Sequence, residues 1–198
     1  MKTVSLALLL MTCAAFVLVG CSDNPAAPMS PTDQTAQLPA SLEKHRDNPD
    51  FTFRVQNDGF DHNPEKWLAG RILQMRNVHA FELVQSSDAR MTGRMEHYLS
   101  LSLNVATGEG PCHGSFTLAP DGMTDGVWVG TYEGYRSRTE KPYEFTLPLK
   151  LVAHGRGGTI DGLQAKMTIT LTVLTNALYY PAPIYWSGTD GIGFINEH

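Results

Sequence analysis

The sequence lacks the residue patterns that would bind metal or nucleic acid. Only three of its 198 residues are cysteine, and no Cys-x-x-Cys, His-Glu-x-x-His or Asp-rich calcium loop occurs. The formal net charge is -5, and the basic residues are scattered instead of forming a stripe that could follow a phosphate backbone. We therefore expect no metal, no cofactor and no nucleic-acid partner.

The chain also lacks an apolar run long enough to cross a bilayer. Residues 4–19 are almost wholly apolar, but this run is shorter than the roughly 20 residues that a transmembrane helix needs. Lys2 precedes it, and the polar segment Ser22-Asp23-Asn24-Pro25 follows soon after. A basic start, a short apolar stretch and an abrupt polar change are typical of a secretory leader.

The leader ends in Leu18-Val19-Gly20-Cys21, which resembles the lipobox of bacterial lipoproteins. The resemblance implies a signal peptide over residues 1–20, cleavage before Cys21 and lipidation of its thiol by palmitate or similar acyl chains. Each buried CH₂ contributes roughly 0.8 kcal/mol, so several chains give a firm membrane anchor. Ser22 follows the cysteine, which resembles sorting to the outer membrane if the cell has two membranes. We expect a lipid-anchored protein of the bacterial cell envelope.

Residues 21–48 have the composition of a flexible tether. They contain four prolines among small and polar residues and no Phe, Tyr or Trp, so they cannot bury a core. With Cys13 in the leader and Cys21 lipidated, Cys112 is the one cysteine left for the domain at 49–198. No disulfide within the chain is then expected. We interpret Cys112 as a small strand residue, pointing away from its neighbour His113.

The domain alternates between apolar and polar residues, which is the pattern of strands with one apolar face. The alternation is strictest at residues 97–105, where Leu99, Leu101 and Leu103 share a side. Similar runs, separated by Gly- and Pro-rich turns, predict further strands at 51–55, 112–119, 127–135, 143–154, 165–173 and 192–195.

The segment at 64–84 is open to two interpretations. It can form strands at Trp67–Met75 and Val78–Val84, with a turn at Asn77 between them. Alternatively, residues 64–75 can form a short helix that Asn63 caps and Pro64 begins.

Consecutive strands at short spacing predict an antiparallel meander, and closing it into a barrel removes its exposed edges. We expect an all-β fold, a small antiparallel β-barrel of about eight strands that follows the signal peptide and the tether. A β-sandwich is the alternative.

Three stretches, Gly110–Leu118, Gly126–Gly134 and Gly155–Leu163, are together similar to bacterial secreted proteins with a barrel like that of allene oxide cyclases and dirigent proteins. In that superfamily a G-x-G-x-x-x-G turn joins two long strands, and a comparable turn here carries glycines at 155, 157, 158 and 162. The resemblance covers about residues 95–175. It implies an eight-stranded barrel with an interior pocket, but no activity, and no catalytic residue of the plant cyclases is carried over.

Candidate site residues follow from the strand pattern. Glu133 alternates with Val127 and Val129, so it is a candidate catalytic or ligand-binding acid if that side faces inward. Its alternative role is a surface charge paired with Arg138 or Lys141. His97 falls on an apolar face, and we interpret it as a buried histidine with its hydrogen bonds satisfied. The aromatic residues that we expect to border a ligand site at the barrel mouth are Tyr98, Trp128, Tyr132, Tyr185 and Trp186.

Three functions are compatible with this reading. The first is a membrane-anchored binding or interaction module whose barrel holds a small apolar ligand. The second is a cofactor-free cyclase or isomerase, and the third is a purely structural envelope protein. An interior pocket would disfavour the third, and a carboxylate, histidine or tyrosine converging on that pocket would favour the second over the first.

Overall fold

The computed structural model describes residues 49–60, 64–175 and 184–197. The predicted leader, lipobox and tether lie outside the described residues, as do Tyr179 and Tyr180. Within these ranges, no helix has the length and apolarity needed to span a membrane. The strands are Phe51–Phe60 (β1), Glu65–Ala69 (β2), Ile72–Ser86 (β3), Gly93–Asn104 (β4), Gly110–Pro120 (β5), Val127–Arg138 (β6), Glu144–Arg156 (β7), Gln164–Thr175 (β8) and Ile184–Asn196 (β9).

Eight of these strands close into an antiparallel barrel. Each strand from β3 to β9 pairs with the next, β9 pairs with β1, and β1 pairs with β3 to complete the ring. The short strand β2 is additional, and in the described part of the chain it pairs with β3. The predicted all-β barrel is therefore confirmed, and the sandwich alternative is wrong because one continuous sheet returns to its first strand.

Alternation places the barrel core as the sequence predicts for most strands. In β8, Ala165, Met167 and Ile169 are buried, whereas the residues between them are more exposed. The same period of two runs through β7, from Phe145 to Ala153. Successive strand residues point to opposite sides of the sheet, so the apolar face of an alternating strand packs toward the interior.

The segment at 64–84 differs from both of its interpretations. The helix is wrong, because Glu65–Ala69 and Ile72–Ser86 are strands joined by a tight turn. The turn at Asn77 is also wrong: Asn77 has a φ of 54° inside β3, where the register with β4 shifts between Met75 and Val78. A bulge of this kind inserts extra residues and bends a strand without ending its ladder.

Two other strands are longer than predicted. β1 continues past Asn57 to Phe60 through a register shift between Asn57 and Gly59. β9 starts at Ile184, well before the predicted short strand, and it also contains an irregularity in its pairing with β8. Glycines and polar residues at these positions predict the end of a strand, but in the structure they form bulges that let the strands curve around the barrel.

One end of the barrel, which we call the plugged end, is filled by side chains. It carries the connections at 87–92, 121–126 and 157–163, including the 3-10 helices Ala89–Met91 and Gly158–Ile160. Met91, Ile160 and Trp128 are almost wholly buried there, and the Trp128 indole N–H donates to the Arg90 carbonyl oxygen at 2.8 Å. A Cβ on Gly155 would lie 1.9 Å from the Ile160 carbonyl oxygen, so only glycine lets this 3-10 helix pack so closely.

Candidate ligand site in the barrel interior

The interior contains a cavity of about 60 Å³. Its wall is largely aliphatic, with Leu147, Leu149 and Leu151 of β7 as examples. On β6, β7 and β8 the lining residues lie farther from the plugged end than Trp128, Ala153 and Ala165 do. The space exceeds the ~10–15 Å³ that a single water requires, so this half of the barrel has room that the plugged end lacks.

Four polar or amphipathic side chains meet at the wall of this cavity, and we call them the polar cluster: Glu82, His97, Tyr132 and Trp186. They come from β3, β4, β6 and β9, and each occupies an inward position of its strand. The Trp186 indole N–H donates a hydrogen bond to Glu82 Oε1. His97 Nδ1 lies 2.7 Å from the Tyr132 hydroxyl oxygen, and His97 Nε2 lies 3.5 Å from Glu82 Oε1.

Burial changes the acid–base behaviour of the cluster. It raises the pKa of Glu82 to about 7, although the hydrogen bond from Trp186 opposes this shift. It lowers the pKa of His97 to about 4, with a smaller contribution from the positive charge of nearby His79. It also raises the pKa of Tyr132 well above its ordinary value, with the negative charge of Glu82 adding to the effect. Near neutral pH, the Glu82 carboxyl is therefore protonated in part of the molecules, while His97 is uncharged and Tyr132 keeps its hydroxyl proton.

These protonation states allow a chain of proton donors and acceptors. A neutral imidazole carries one N–H, and placing that proton on Nε2 directs it toward the Glu82 carboxylate. His97 Nδ1 then accepts a hydrogen bond from the Tyr132 hydroxyl. Such an arrangement can donate to or accept from a polar group of a bound molecule at the cavity wall.

Arg136 is a second polar feature of the cavity, on β6. The residue is only 3% exposed, and its guanidinium carbon lies 3.7 Å from the centre of the Phe145 ring. Neither Nε nor Nη2 has a hydrogen-bond partner among the described residues. Burial lowers the pKa of Arg136 to about 10, so the group still carries its positive charge at neutral pH.

The aromatic residues predicted for a ligand site fall into separate places. Tyr132 and Trp186 line the cavity. Trp128 is fully buried at the plugged end, where it fills space and does not border the cavity. Tyr98 and Tyr185 are 46% and 65% exposed on the outer surface, and Tyr98 stacks on His79 with ring centres 4.6 Å apart.

Glu133 does not face the barrel interior. It is exposed on β6 beside His113 and Lys150 of the neighbouring strands, whereas the inward face of β6 carries Trp128 and Tyr132 among others. Both faces of β6 carry large apolar side chains, so alternation alone did not identify the inner one. The correction leaves Glu133 as an outer-surface residue, unable to act as an acid in the cavity.

The predictions for Cys112 and His97 have different outcomes. Cys112 is a buried free thiol and His113 is exposed, which confirms that they point to opposite faces. His97 is buried as expected, but it is only partly satisfied, because Nε2 lacks a hydrogen-bond partner in the described ranges. At 3.5 Å, its separation from Glu82 is too long for a strong hydrogen bond.

Sequence reasoning missed the two buried charged residues, Glu82 and Arg136. Each had a usable signal, because it lies in phase with inward residues of its strand: Glu82 with Ala80 and Val84, and Arg136 with Tyr132. A charged residue that repeats with an apolar face is a candidate for a buried functional group, since burial of a charge is costly.

In the described ranges, His, Cys, Asp and Glu side chains form no group of three that could hold a metal ion. Comparison of the chain with protein-family models, with curated proteins and with solved structures gives no match.

Proposed function

We propose that this protein is a lipid-anchored envelope lipoprotein whose barrel binds a small apolar ligand. The observation that carries the binding proposal is the cavity of about 60 Å³, with an aliphatic wall and a polar cluster at one place on it. Concave, mostly apolar sites with a few convergent polar groups are the usual form of small-molecule sites. The anchoring proposal rests on the leader and on the Leu18–Cys21 pattern.

A purely structural role accounts less well for the interior. Protein cores are close-packed, with few voids larger than a water molecule. A filler role would also favour apolar residues at the positions of Glu82 and Arg136, because buried charges cost free energy unless they are paired. The plugged end shows that this chain fills a barrel end with apolar side chains where filling is all that is needed.

Native mass spectrometry tests the binding proposal. The full chain, purified from the membranes of its own host, should carry a small organic molecule that is released on unfolding. Loss of that molecule after Leu149→Trp, which places a large ring at the cavity wall, would locate it in the barrel. A chain that gives only its own mass, across several mild preparations, would contradict the proposal.

Membrane fractionation tests the anchor. Cys21→Ser should move the protein from the membrane fraction to the soluble fraction, because the serine hydroxyl cannot take the place of the lipidated thiol. Cys13→Ser is the matched control, since it changes a leader cysteine and should leave the protein with the membrane. Membrane attachment that survives Cys21→Ser would count against lipidation at this residue.

A second candidate function, a cofactor-free cyclase or isomerase, is favoured by the convergence of Glu82, His97 and Tyr132 on the cavity. Glu82, with its pKa near 7, is suited to take or give a proton at neutral pH, and the Tyr132 hydroxyl is suited to stabilise developing negative charge. The allene oxide cyclase-like relationship remains part of this proposal. It is supported by the glycine-rich turn at 155–162 and by the eight-stranded barrel.

The variant Glu82→Gln distinguishes the two candidate functions, the binding module and the enzyme. Once a ligand is identified, an enzyme should lose turnover in this variant while its ligand affinity changes little, because Gln keeps the size and the hydrogen bond to Trp186 but cannot transfer a proton. Glu133→Gln is the control, since Glu133 is on the outer surface. Absence of any chemical change in the ligand on incubation with the unmodified protein would leave the binding module as the function.

A further inference from the structure

The unpaired edge of the Arg136 guanidinium has the shape of a carboxylate site. Nε and Nη2 lie on the same side of the planar group, and their N–H bonds point outward in parallel. Both atoms are buried and lack a partner among the described residues. Two parallel N–H donors match the two oxygens of a carboxylate, which is the most specific pairing that arginine makes.

The surroundings of Arg136 do not supply that carboxylate. The described residues form no ion pair with it, and the Phe145 ring covers one face of the guanidinium while leaving its edge unpaired. Cys112 is close enough to influence Arg136, but burial raises the pKa of that thiol to about 12, so it is uncharged at neutral pH. A buried cation in this state is unfavourable until an anion reaches it.

Arg136 is also well separated from the polar cluster. It lies four residues beyond Tyr132 on the same face of β6, which corresponds to roughly 13 Å along an extended strand. Glu82 receives the Trp186 hydrogen bond and faces His97, so its carboxylate is held at the other polar point. The cavity therefore has two polar points with an aliphatic wall that includes Leu147, Leu149 and Leu151.

We infer that the ligand is a small apolar carboxylate, whose two oxygens accept hydrogen bonds from Nε and Nη2 of Arg136 while its apolar body packs on the leucines of β7. The inference rests on the proposed function, because it needs a ligand in the cavity. It adds the charge of that ligand, the group that recognises it and its direction in the barrel.

The experiment compares butanoate with butanol, which share a short apolar chain suited to a small cavity and differ in charge. Each is titrated by calorimetry at pH 8 into the full chain carrying Cys21→Ser, which keeps it free of detergent. Butanoate should bind about tenfold more tightly than butanol, or better, as expected for two charge-assisted hydrogen bonds. Arg136→Met should abolish this preference by weakening the binding of butanoate and leaving that of butanol nearly unchanged.

Two further variants control the result. Arg138→Met removes the same charge from an exposed position on the same strand, and it should keep the preference for butanoate. Arg136→Lys keeps the charge but has no planar edge, so it should keep only part of the preference. It also provides the measurement if Arg136→Met does not fold. The melting temperature of Arg136→Met without ligand should not fall, because the change removes an unpaired buried charge.

The outcomes separate the inference from the function on which it depends. Equal affinity for butanoate and butanol, or a preference that Arg136→Met leaves intact, would overturn the carboxylate inference and leave the proposal of an apolar-ligand barrel in place. Failure of both compounds, and of their shorter and longer homologues, to bind the parent chain would overturn both.

Discussion

The plugged end and the cavity-bearing half are built from the same eight strands, but they differ in how side chains fill the interior. At the plugged end, Trp128, Met91 and Ile160 are nearly inaccessible and fill the barrel with apolar volume. In the other half, Glu82 and Arg136 are equally well buried but border empty space. One half thus meets the packing requirement of a stable fold, and the other departs from it where a ligand would fit.

The difference also concerns how polar atoms are satisfied. The indole N–H of Trp128 has a backbone partner in the 3-10 helix beside it, so the plug contributes a local hydrogen bond as well as volume. In the cavity half, one nitrogen of His97 and two of Arg136 lack partners among the described residues. Native proteins contain few such atoms, so their concentration around one cavity supports the proposal that a ligand binds there.

The largest expected effect is at the plugged end. Trp128→Ala should reduce the free energy of unfolding by about 3–5 kcal/mol, because it leaves a large void and removes the hydrogen bond to Arg90. Leu149→Ala at the cavity wall should cost about 2 kcal/mol, the low end of the range for such truncations, since its side chain already borders empty space. Urea unfolding measures both, and equal losses would contradict the distinction between the two regions.

The next largest effect is the pH dependence of the free energy of unfolding, to which Glu82 contributes. Folded Glu82 keeps its proton up to about pH 7, whereas the unfolded chain releases it near pH 4.5. Between these values the folded state binds more protons, so this residue makes stability fall as pH rises. Glu82→Gln should remove that fall, and its stability relative to the parent should increase by roughly 3 kcal/mol between pH 4.5 and about 7.

Urea unfolding across this pH range checks the Glu82 prediction. His97 has the opposite slope, because its lowered pKa favours folding as pH rises from about 4 to 6.5, but both proteins share that contribution. Glu133→Gln, on the outer surface, should stay within about 0.5 kcal/mol of the parent at every pH. If the Glu82→Gln and parent curves run parallel, the carboxyl is not held in a desolvated site.

The smallest expected effect on stability comes from substitutions that enlarge a side chain, one at the plugged end and one at the cavity wall. Ala153→Leu, at a fully buried position near the plugged end, should destabilise the fold by about 1–3 kcal/mol through overpacking. Val78→Leu, at the cavity wall, should change stability by less than about 1 kcal/mol because the added carbon enters open space. The pair is measured by thermal unfolding, and a similar loss in both would mean that the cavity cannot accept even one methylene.

The successes and failures of sequence reasoning follow the range of the interactions involved. The alternation in β7 and β8 is local, so it predicted their inward residues and the all-β class. The bulge at Asn77 was predicted as a turn, and the strand predicted at 51–55 was ended before the bulge in β1, because whether a strand continues depends on the partner that pairs with it. The inward face of β6 was not identified for a related reason. Its two faces are similarly apolar, and only the neighbouring strands decide which one faces inward.

By itself, the sequence determined the all-β class, most of the strands and most of their turns, since backbone period and turn chemistry act over a few residues. Only the tertiary structure decided that Glu82 meets Trp186 across 104 residues and that Arg136 is buried with an unpaired edge. The physical reason is that these contacts depend on register and barrel closure, which bring distant inward positions to one level. Neither can be obtained from the pattern of any single strand.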